Sequence, residues 1–476
     1  MERTAGSHCS EMMRHEMQWK ALFLPSYLGG GFGHIGRCLA LAGELEARGW
    51  QTAFASGGQH VERLRGAGIR VFELRHPAQQ ARRTGQVPAY TCFSNMNYQL
   101  VRDGLVRPAI IRACVAEQLG VIRAFQPDLL IADTWPLASI LAHLVGLPLV
   151  QVMRSVVHPS APNLLWWKAP PEELVSPDPQ PVFNPVLKSW GMAPIRRAED
   201  LLVGDLVLVP SIPELDPLPD GLETTCYTGP LVRNEEEAAP PWLEAMGEAG
   251  PLVYVTTGGG AGLAGGEQFY RVVMDAVRGT GWQVILSTGA RINPESLPSP
   301  PPNVRLEAWV PGPAVIARSR LVVYSGGYGT SMEIVGAGVP GLIIPWHSEQ
   351  ESNARRLEAC GAARVLLPCQ AAPAPIWHRW PGGAFSTLVC PTSDLTPEAL
   401  RQAIHSALDD ADLQANAIRL RDLAAGYRGA SRAAELIEEL MAARTAPGSN
   451  GWDSLSWWQK LILKGSKIRL ISDGGN

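Results

Sequence analysis

The chain has no Cys-x-x-Cys pair; its eight cysteines are scattered over 476 residues at none of the spacings of a zinc finger. Zinc sites and redox motifs need such spacing, and no secretory apolar stretch precedes the cysteines, so reduced thiols in a cytoplasmic protein are expected. Charge is also thin. Only 18% of residues are Asp, Glu, Lys or Arg, and the net charge of −4 offers no basic surface to a nucleic acid. No apolar run approaches the ~20 residues needed to span a bilayer, which excludes an integral membrane helix. The opening "MERTAGSHCSEMMRHEMQWK" is charged throughout, with neither an apolar core nor a small-residue cleavage site. Residues 1–18 are therefore read as a loose leader, not a signal peptide.

Hydrophobic residues are plentiful, at 46%. The length suits two lobes, each with its own core. Short apolar runs alternate with helical patterns: "ALFLPSY", "QTAFAS", "DLLIAD" and "LPLVQV" in the first half, then "PLVYVTTGGG", "WQVILSTG", "VRLEAWV", "LVVYSGG" and "GLIIPW" in the second. That alternation predicts an α/β class with a parallel sheet in each half. We read residues 19–230 as one Rossmann-like domain, 231–249 as a linker rich in Glu, Pro and Gly, and 250–445 as a second Rossmann-like domain. Residues 446–476 form a tail. Between residues 154 and 197 the pattern breaks into a Pro- and Trp-rich stretch that reads as loops and short helices lining a cleft.

"GFGHIG", residues 31 to 36, carries the Gly-x-Gly-x-x-Gly spacing of a dinucleotide-binding turn. NAD, however, needs a carboxylate at the end of the second strand, and "QTAFAS" runs into Ser56, Gly57 and Gly58. The glycines instead allow close backbone approach at a strand end, with His34 at its mouth. "PDLLIAD" ends in Asp133, so both side chains fall at the carboxyl rim of one sheet. Local packing of the histidine and helix capping by the aspartate are the bland alternatives.

In the second lobe, "VVYSGGYGTSMEIVGAGVPGLIIPWHSEQESNARRLEACGA" points to a phosphate. The Gly326, Gly327 and Gly329 turn delivers a strand into a helix at Thr330 and Ser331, whose free amides and hydroxyls favour an anion by ~0.3–2 kcal/mol through the dipole alone. No Gly-Lys-Ser/Thr follows, so this is not a Walker loop. Glu333, in the first turn, is placed to accept ribose hydroxyls.

The order Gly326, Gly327, Gly329, Thr330, Glu333, "AGVP", Pro345, Glu349-Gln350 and Asn353 resembles the donor signature of the UDP-glycosyltransferase superfamily. "GHI" at His34, "PDLLIAD" at Asp133 and "AWVP" around Trp309 match its other landmarks, over about residues 20 to 445. The resemblance implies a GT-B fold, with two Rossmann-like lobes facing an interdomain cleft. It implies an inverting, metal-independent glycosyltransferase moving a hexose from a nucleotide sugar, a UDP-sugar by the family pattern, to a hydroxyl of an apolar acceptor. On this reading His34 is the general base and Asp133 its orienting carboxylate. Trp309 stacks the base, Glu333 holds the ribose, and Ser325, Gly326, Gly327, Gly329, Thr330 and Ser331 surround the diphosphate. Glu349 and Gln350 take sugar hydroxyls, and Thr257 and Gly258 complete the donor site. Gly33, Trp166 and Trp167 fall to the acceptor. No Asp-x-Asp metal motif stands beside these strand ends, and no cofactor beyond the co-substrate is implied.

Two departures stand out. Ser325 occupies a position where the family carries a histidine that contacts the diphosphate, and the run at 371–390 is an insertion with no assigned role. A non-hydrolysing sugar-nucleotide epimerase shares the architecture, and a catalytically silent binding protein shares the sites. The tail places Lys460, Lys464 and Lys467 on one stripe beside Trp458, Leu461 and Ile462, which suits docking onto the first lobe or peripheral contact with a membrane.

Overall fold

The computed structural model describes residues 18–445, apart from 29–31, 78–87, 161–172, 233–238, 245, 247–249, 259–265 and 290–291. Trp166, Trp167 and the tail 446–476 lie outside the described residues, as does Gly31 of the "GFGHIG" motif.

The first lobe is built on a seven-stranded parallel sheet. Its strands are β1 (Lys20–Pro25), β2 (Gln51–Ser56), β3 (Val71–Glu73), β5 (Leu129–Asp133), β6 (Leu149–Val152), β7 (Leu206–Val209) and β8 (Thr225–Tyr227). Their order is β3-β2-β1-β5-β6-β7-β8. Both faces are covered, so the strands read as continuous apolar runs instead of alternating ones. In β1, Leu22 and Leu24 point into one core cluster while Ala21 and Phe23 point into the other, the two-residue period of a strand.

The second lobe repeats the plan with six parallel strands. They are β9 (Leu252–Thr256), β10 (Gln283–Ser287), β11 (Val304–Glu307), β12 (Leu321–Tyr324), β13 (Gly341–Ile343) and β14 (Ala363–Val365), in the order β11-β10-β9-β12-β13-β14. In each sheet the first strand has its sequence neighbour on one side and a later strand on the other. The order therefore reverses between β1 and β5, and again between β9 and β12. Ligands of open α/β sheets bind at such switch points, beyond the carboxyl ends of the strands.

The helix Ala430–Thr445, assigned to the second domain by a boundary at 445, packs against the first sheet. Ala433, Ala434, Ile437 and Met441 form one apolar stripe, and it is buried with Phe23 and Ile35. Arg48 with Glu438 and Arg444 with Asp205, each at 2.9 Å, fasten its outer side. A stripe that wide needs a sheet face to cover it, and the first lobe offers one.

The insertion is a β-hairpin, β15 (Ala374–Trp380) and β16 (Gly383–Cys390). It reaches the first lobe, where β16 pairs antiparallel with β4 (Tyr90–Cys92) to form a three-stranded sheet. The same segment is held from the other side by the second lobe: Thr91 N donates to the Trp346 carbonyl at 3.0 Å and Tyr90 Oη to Glu351 at 2.5 Å. The lobes are thus laced together beside the cleft. No helix among the described residues is long and apolar enough to cross a membrane, and all seven described cysteines are free.

Candidate active site

Register places the first site residue. Pro25, the last residue of β1, pairs with Asp133, the last of β5, so the carboxylate stands at the switch point of the first sheet. Thr134 then takes a left-handed conformation (φ 52°) and turns the chain sharply away, with its hydroxyl donating to Asp133 Oδ1 at 3.2 Å. Strain at a non-glycine residue of this kind persists where the surroundings fix it. The helix Gly33–Ala47 begins at the same rim and carries His34 in its first turn.

His34 Nδ1 lies 2.6 Å from Asp133 Oδ1. Since an ionised carboxylate only accepts, Nδ1 carries the hydrogen of this contact and Nε2 is the ring nitrogen left for other partners. Arg37, one helical turn further on, grips the same carboxylate through Nε to Oδ2 at 2.7 Å and Nη2 to Oδ1 at 2.8 Å. Asp133 is fully buried. Burial pushes its pKa up, but the Arg37 charge and then the His34 contact outweigh that and hold the carboxyl below its usual range. The His34 side chain keeps 32% of its surface, so the ring is open to the cleft while its partner is not.

The second lobe brings its own helix start to this point. A Cβ on Gly329 would lie 3.7 Å from Gly33 Cα, so two glycine backbones meet across the cleft. Gly33 opens its helix and Gly329 is the second residue of the helix Tyr328–Ala337. Two positive helix ends therefore converge beside His34, a setting that favours an anion between them. Gly326 has φ 85°, and a Cβ there would collide with the Gln350 carbonyl at 2.7 Å. Only glycine fits this turn.

The residues expected at the donor site divide into three groups. Thr330 and Gly327 are partly open at the helix start, and Trp309 is 44% exposed, with the Arg63 guanidinium 4.7 Å from its ring. Trp309 is thus not a core aromatic. Glu333 is half-buried and makes no hydrogen bond or ion pair among the described residues; burial raises its carboxyl to about 7. A carboxylate left unpartnered at such a place is available to a ligand.

A second group is already satisfied within the lobe. Ser331 was expected to offer its hydroxyl to the anion. It is 1% exposed, contacts Tyr324 Oη at 2.9 Å and donates to the Gly327 carbonyl at 3.1 Å, so its side chain faces inward. The period of the helix turns that position into the core. Thr257 likewise contacts the Tyr270 hydroxyl at 3.1 Å, while Gly258 holds φ 66° in the adjoining turn. Ser325 is buried and accepts from Gln350 Nε2 at 3.3 Å, and Gln350 Oε1 accepts from Trp346 N at 2.9 Å. Ser325 and Gln350 therefore tie the loop after β12 to the loop after β13.

Glu349 makes up the third group, since it crosses the cleft. It accepts from Arg154 Nη1 of the first lobe at 2.5 Å. Arg154 also donates to Asn353, whose amide donates to the Gly326 carbonyl at 2.8 Å. Its guanidinium lies 4.2 Å from the Tyr328 ring centre, and Arg37 lies 5.3 Å from the same centre. The Tyr328 hydroxyl is 3.0 Å from Asp216 Oδ2 and 3.1 Å from the Pro210 carbonyl, and donates to one of these first-lobe acceptors.

Sequence reasoning missed Arg37, Arg154, Tyr328 and Asp216. Arg37 had a signal, being three residues after His34 on one helix face. Arg154 had a weaker one, two residues beyond the end of β6 on the rim that carries Asp133. The chain's one Asp-x-Asp triplet, Asp410 to Asp412, is a helix start: Asp410 Oδ1 accepts from Leu413 N at 2.9 Å.

Two parallel α/β lobes whose switch points face each other, with a helix start from each at the contact, define the GT-B class. Residues 271–378 match the family model "Erythromycin biosynthesis protein CIII-like, C-terminal domain". The NDP-glycosyltransferase YjiC of Bacillus subtilis is 22% identical over 428 residues, covering 87% of this chain and 96% of that protein. A PGL/p-HBAD biosynthesis rhamnosyltransferase of Mycobacterium bovis is 26% identical over 353 residues, 70% of this chain and 74% of its own length. Among solved structures, the calicheamicin glycosyltransferase CalG4 aligns with a TM-score of 0.65 at 21% identity, over 90% of this chain and all of that one. The spinosyn rhamnosyltransferase SpnG, complexed with spinosyn aglycone, gives 0.63 at 21% identity, over 89% of this chain and 100% of its own. The chain has the fold of the GT-B glycosyltransferases and resembles proteins of that activity in sequence, and it is a transferase enzyme.

Proposed function

We propose that this enzyme transfers a hexose, with inversion, from a nucleoside-diphosphate sugar to a hydroxyl of an apolar acceptor. The observation that carries the reading is the His34–Asp133 contact at 2.6 Å, on the rim that faces the donor turn. In the reaction, His34 Nε2 takes the acceptor's proton as its oxygen attacks the anomeric carbon. The bond from that carbon to the diphosphate breaks on the opposite face. Asp133 stabilises the imidazolium that results. Charge on the departing diphosphate falls to the amides of the two helix starts, which are fixed before the reaction begins. This chemistry asks for no cation.

Trp309 takes the nucleobase and Glu333 the ribose in this reading, with Thr330 and the Gly326–Gly327 turn at the diphosphate. SpnG has been solved with thymidine diphosphate, so sugars carried on thymidine diphosphate and on uridine diphosphate are both donor candidates here. The apolar character of the acceptor is supported by the spinosyn aglycone held by the same relative. The deciding experiment is thermal stabilisation by UDP, thymidine diphosphate and their sugars, followed by mass-spectrometric acceptor screening with the best donor. A glycosylated acceptor establishes transfer. An epimerised nucleotide sugar with no acceptor product would replace this reading with the epimerase.

Glu333 adds a pH signature. Ribose hydroxyls donate to the ionised carboxylate, and that form is lost as pH falls through about 7. Donor affinity is therefore expected to weaken roughly tenfold from pH 8 to pH 6, as binding to the deprotonated form alone requires. Glu333→Gln should flatten the dependence. Isothermal titration with UDP at both pH values checks it, and an equal slope in the variant would remove Glu333 from the ribose.

A further inference from the structure

Asp133 has two cationic neighbours, and the stronger is not the proposed base. Arg37 is 6% exposed and presents Nε and Nη2 to both oxygens of the carboxylate, the two-point fork that fixes a carboxylate's plane as well as its charge. Its remaining face is closed by the Tyr328 ring from the donor lobe. Arg37 Nη2 also lies 3.0 Å from His34 Nδ1, so a protonated imidazole would set two cations side by side.

These contacts have a consequence for a base. A fully buried aspartate demands a counter-charge. Were His34 its sole partner, the cheapest way to supply that charge would be to protonate the imidazole, and an imidazolium cannot accept the acceptor's proton. Resting on the proposed role of His34, we infer that Arg37 is a positioning residue for transfer. It supplies the permanent counter-charge of Asp133, so that His34 rests neutral, and it locks the carboxylate with Oδ1 aimed at Nδ1–H. The other charged groups near the ring are Glu349 and its partner Arg154, which neutralise each other across the cleft, and the buried Tyr328 and Cys38 stay uncharged because burial raises both. Asp133 and Arg37 therefore set the charge state of the ring.

The test uses full-length Arg37→Met and Arg37→Lys beside wild type and His34→Ala, with kcat measured against pH and UDP affinity measured separately. Arg37→Met makes His34 the only counter-charge. Its kcat should fall most at low pH, with the acid limb of the profile moved up by about one unit or more and partial recovery at high pH. Arg37→Lys keeps the charge but loses the fork, so its acid limb should stay in place while plateau kcat falls roughly tenfold or more through misalignment. UDP affinity should hold in both, because the groups proposed for the base and ribose stand on the other lobe and the helix-start amides are untouched. A merely structural arginine would lower the folded fraction and leave the profile of the folded enzyme unmoved, and that result overturns the inference. If Arg37→Met does not fold, wild-type plateau kcat in Arg37→Lys overturns it instead. Full activity in His34→Ala would sink the base assignment itself, whereas an inactive His34→Ala with unchanged Arg37 profiles sinks only the role of Arg37.

Discussion

Replacing His34 by alanine is expected to lower transfer to a hydroxyl acceptor by ~10²–10⁴-fold, the usual contribution of a positioned base. The ring sits on the first turn of its helix with a third of its surface open, so its removal leaves the fold intact. Asp133 keeps two bonds to Arg37 in the variant and is not stranded. UDP affinity should change little, since the groups proposed to bind the base and ribose stand on the other lobe and the helix-start amides survive the substitution. Turnover and UDP binding measured on the same samples separate the outcomes. Normal turnover would end the base assignment, and parallel loss of UDP binding would make His34 a structural element of the cleft.

The parts of this molecule that sequence revealed are those written locally. A strand running into glycines and then a helix is readable from ten consecutive residues, which is why the Gly326 turn and the placement of His34 and Asp133 at one rim were visible. The rest depends on partners distant in the chain. Arg154 and Glu349 are 195 residues apart, and nothing in either neighbourhood names the other. The helix Ala430–Thr445 has an ordinary amphipathic pattern, and pattern alone does not say which lobe supplies the covering face. Ser331 shows the converse failure. Its position in a phosphate-type turn suggested a ligand contact, but the helix period directed its hydroxyl to Tyr324. Trp309 was ambiguous because an aromatic near a strand end suits either a core or a cleft, and exposure alone separates the two.

Asp133→Asn brings the largest expected loss of stability. From its place as an orienting group alone, the substitution would be mild, because asparagine keeps the shape and one acceptor oxygen for Nδ1–H. The structure changes that expectation. Arg37 is buried against both carboxylate oxygens, and an amide offers it a single acceptor and no charge. Breaking a buried pair by neutralising one partner costs about 3–5 kcal/mol, since the other charge stays where water cannot reach it. Asp133→Asn should therefore unfold at clearly lower urea concentration than wild type, besides losing activity. The double variant Asp133→Asn with Arg37→Met removes the stranded charge and should recover much of that stability. It should not recover transfer, because the imidazole then has no anion to support its protonated form. Urea midpoints for wild type, both single variants and the double variant give the coupling directly. Additive losses of stability would show that the pair is not the source of the cost, and wild-type turnover in the double variant would remove Asp133 from the chemistry.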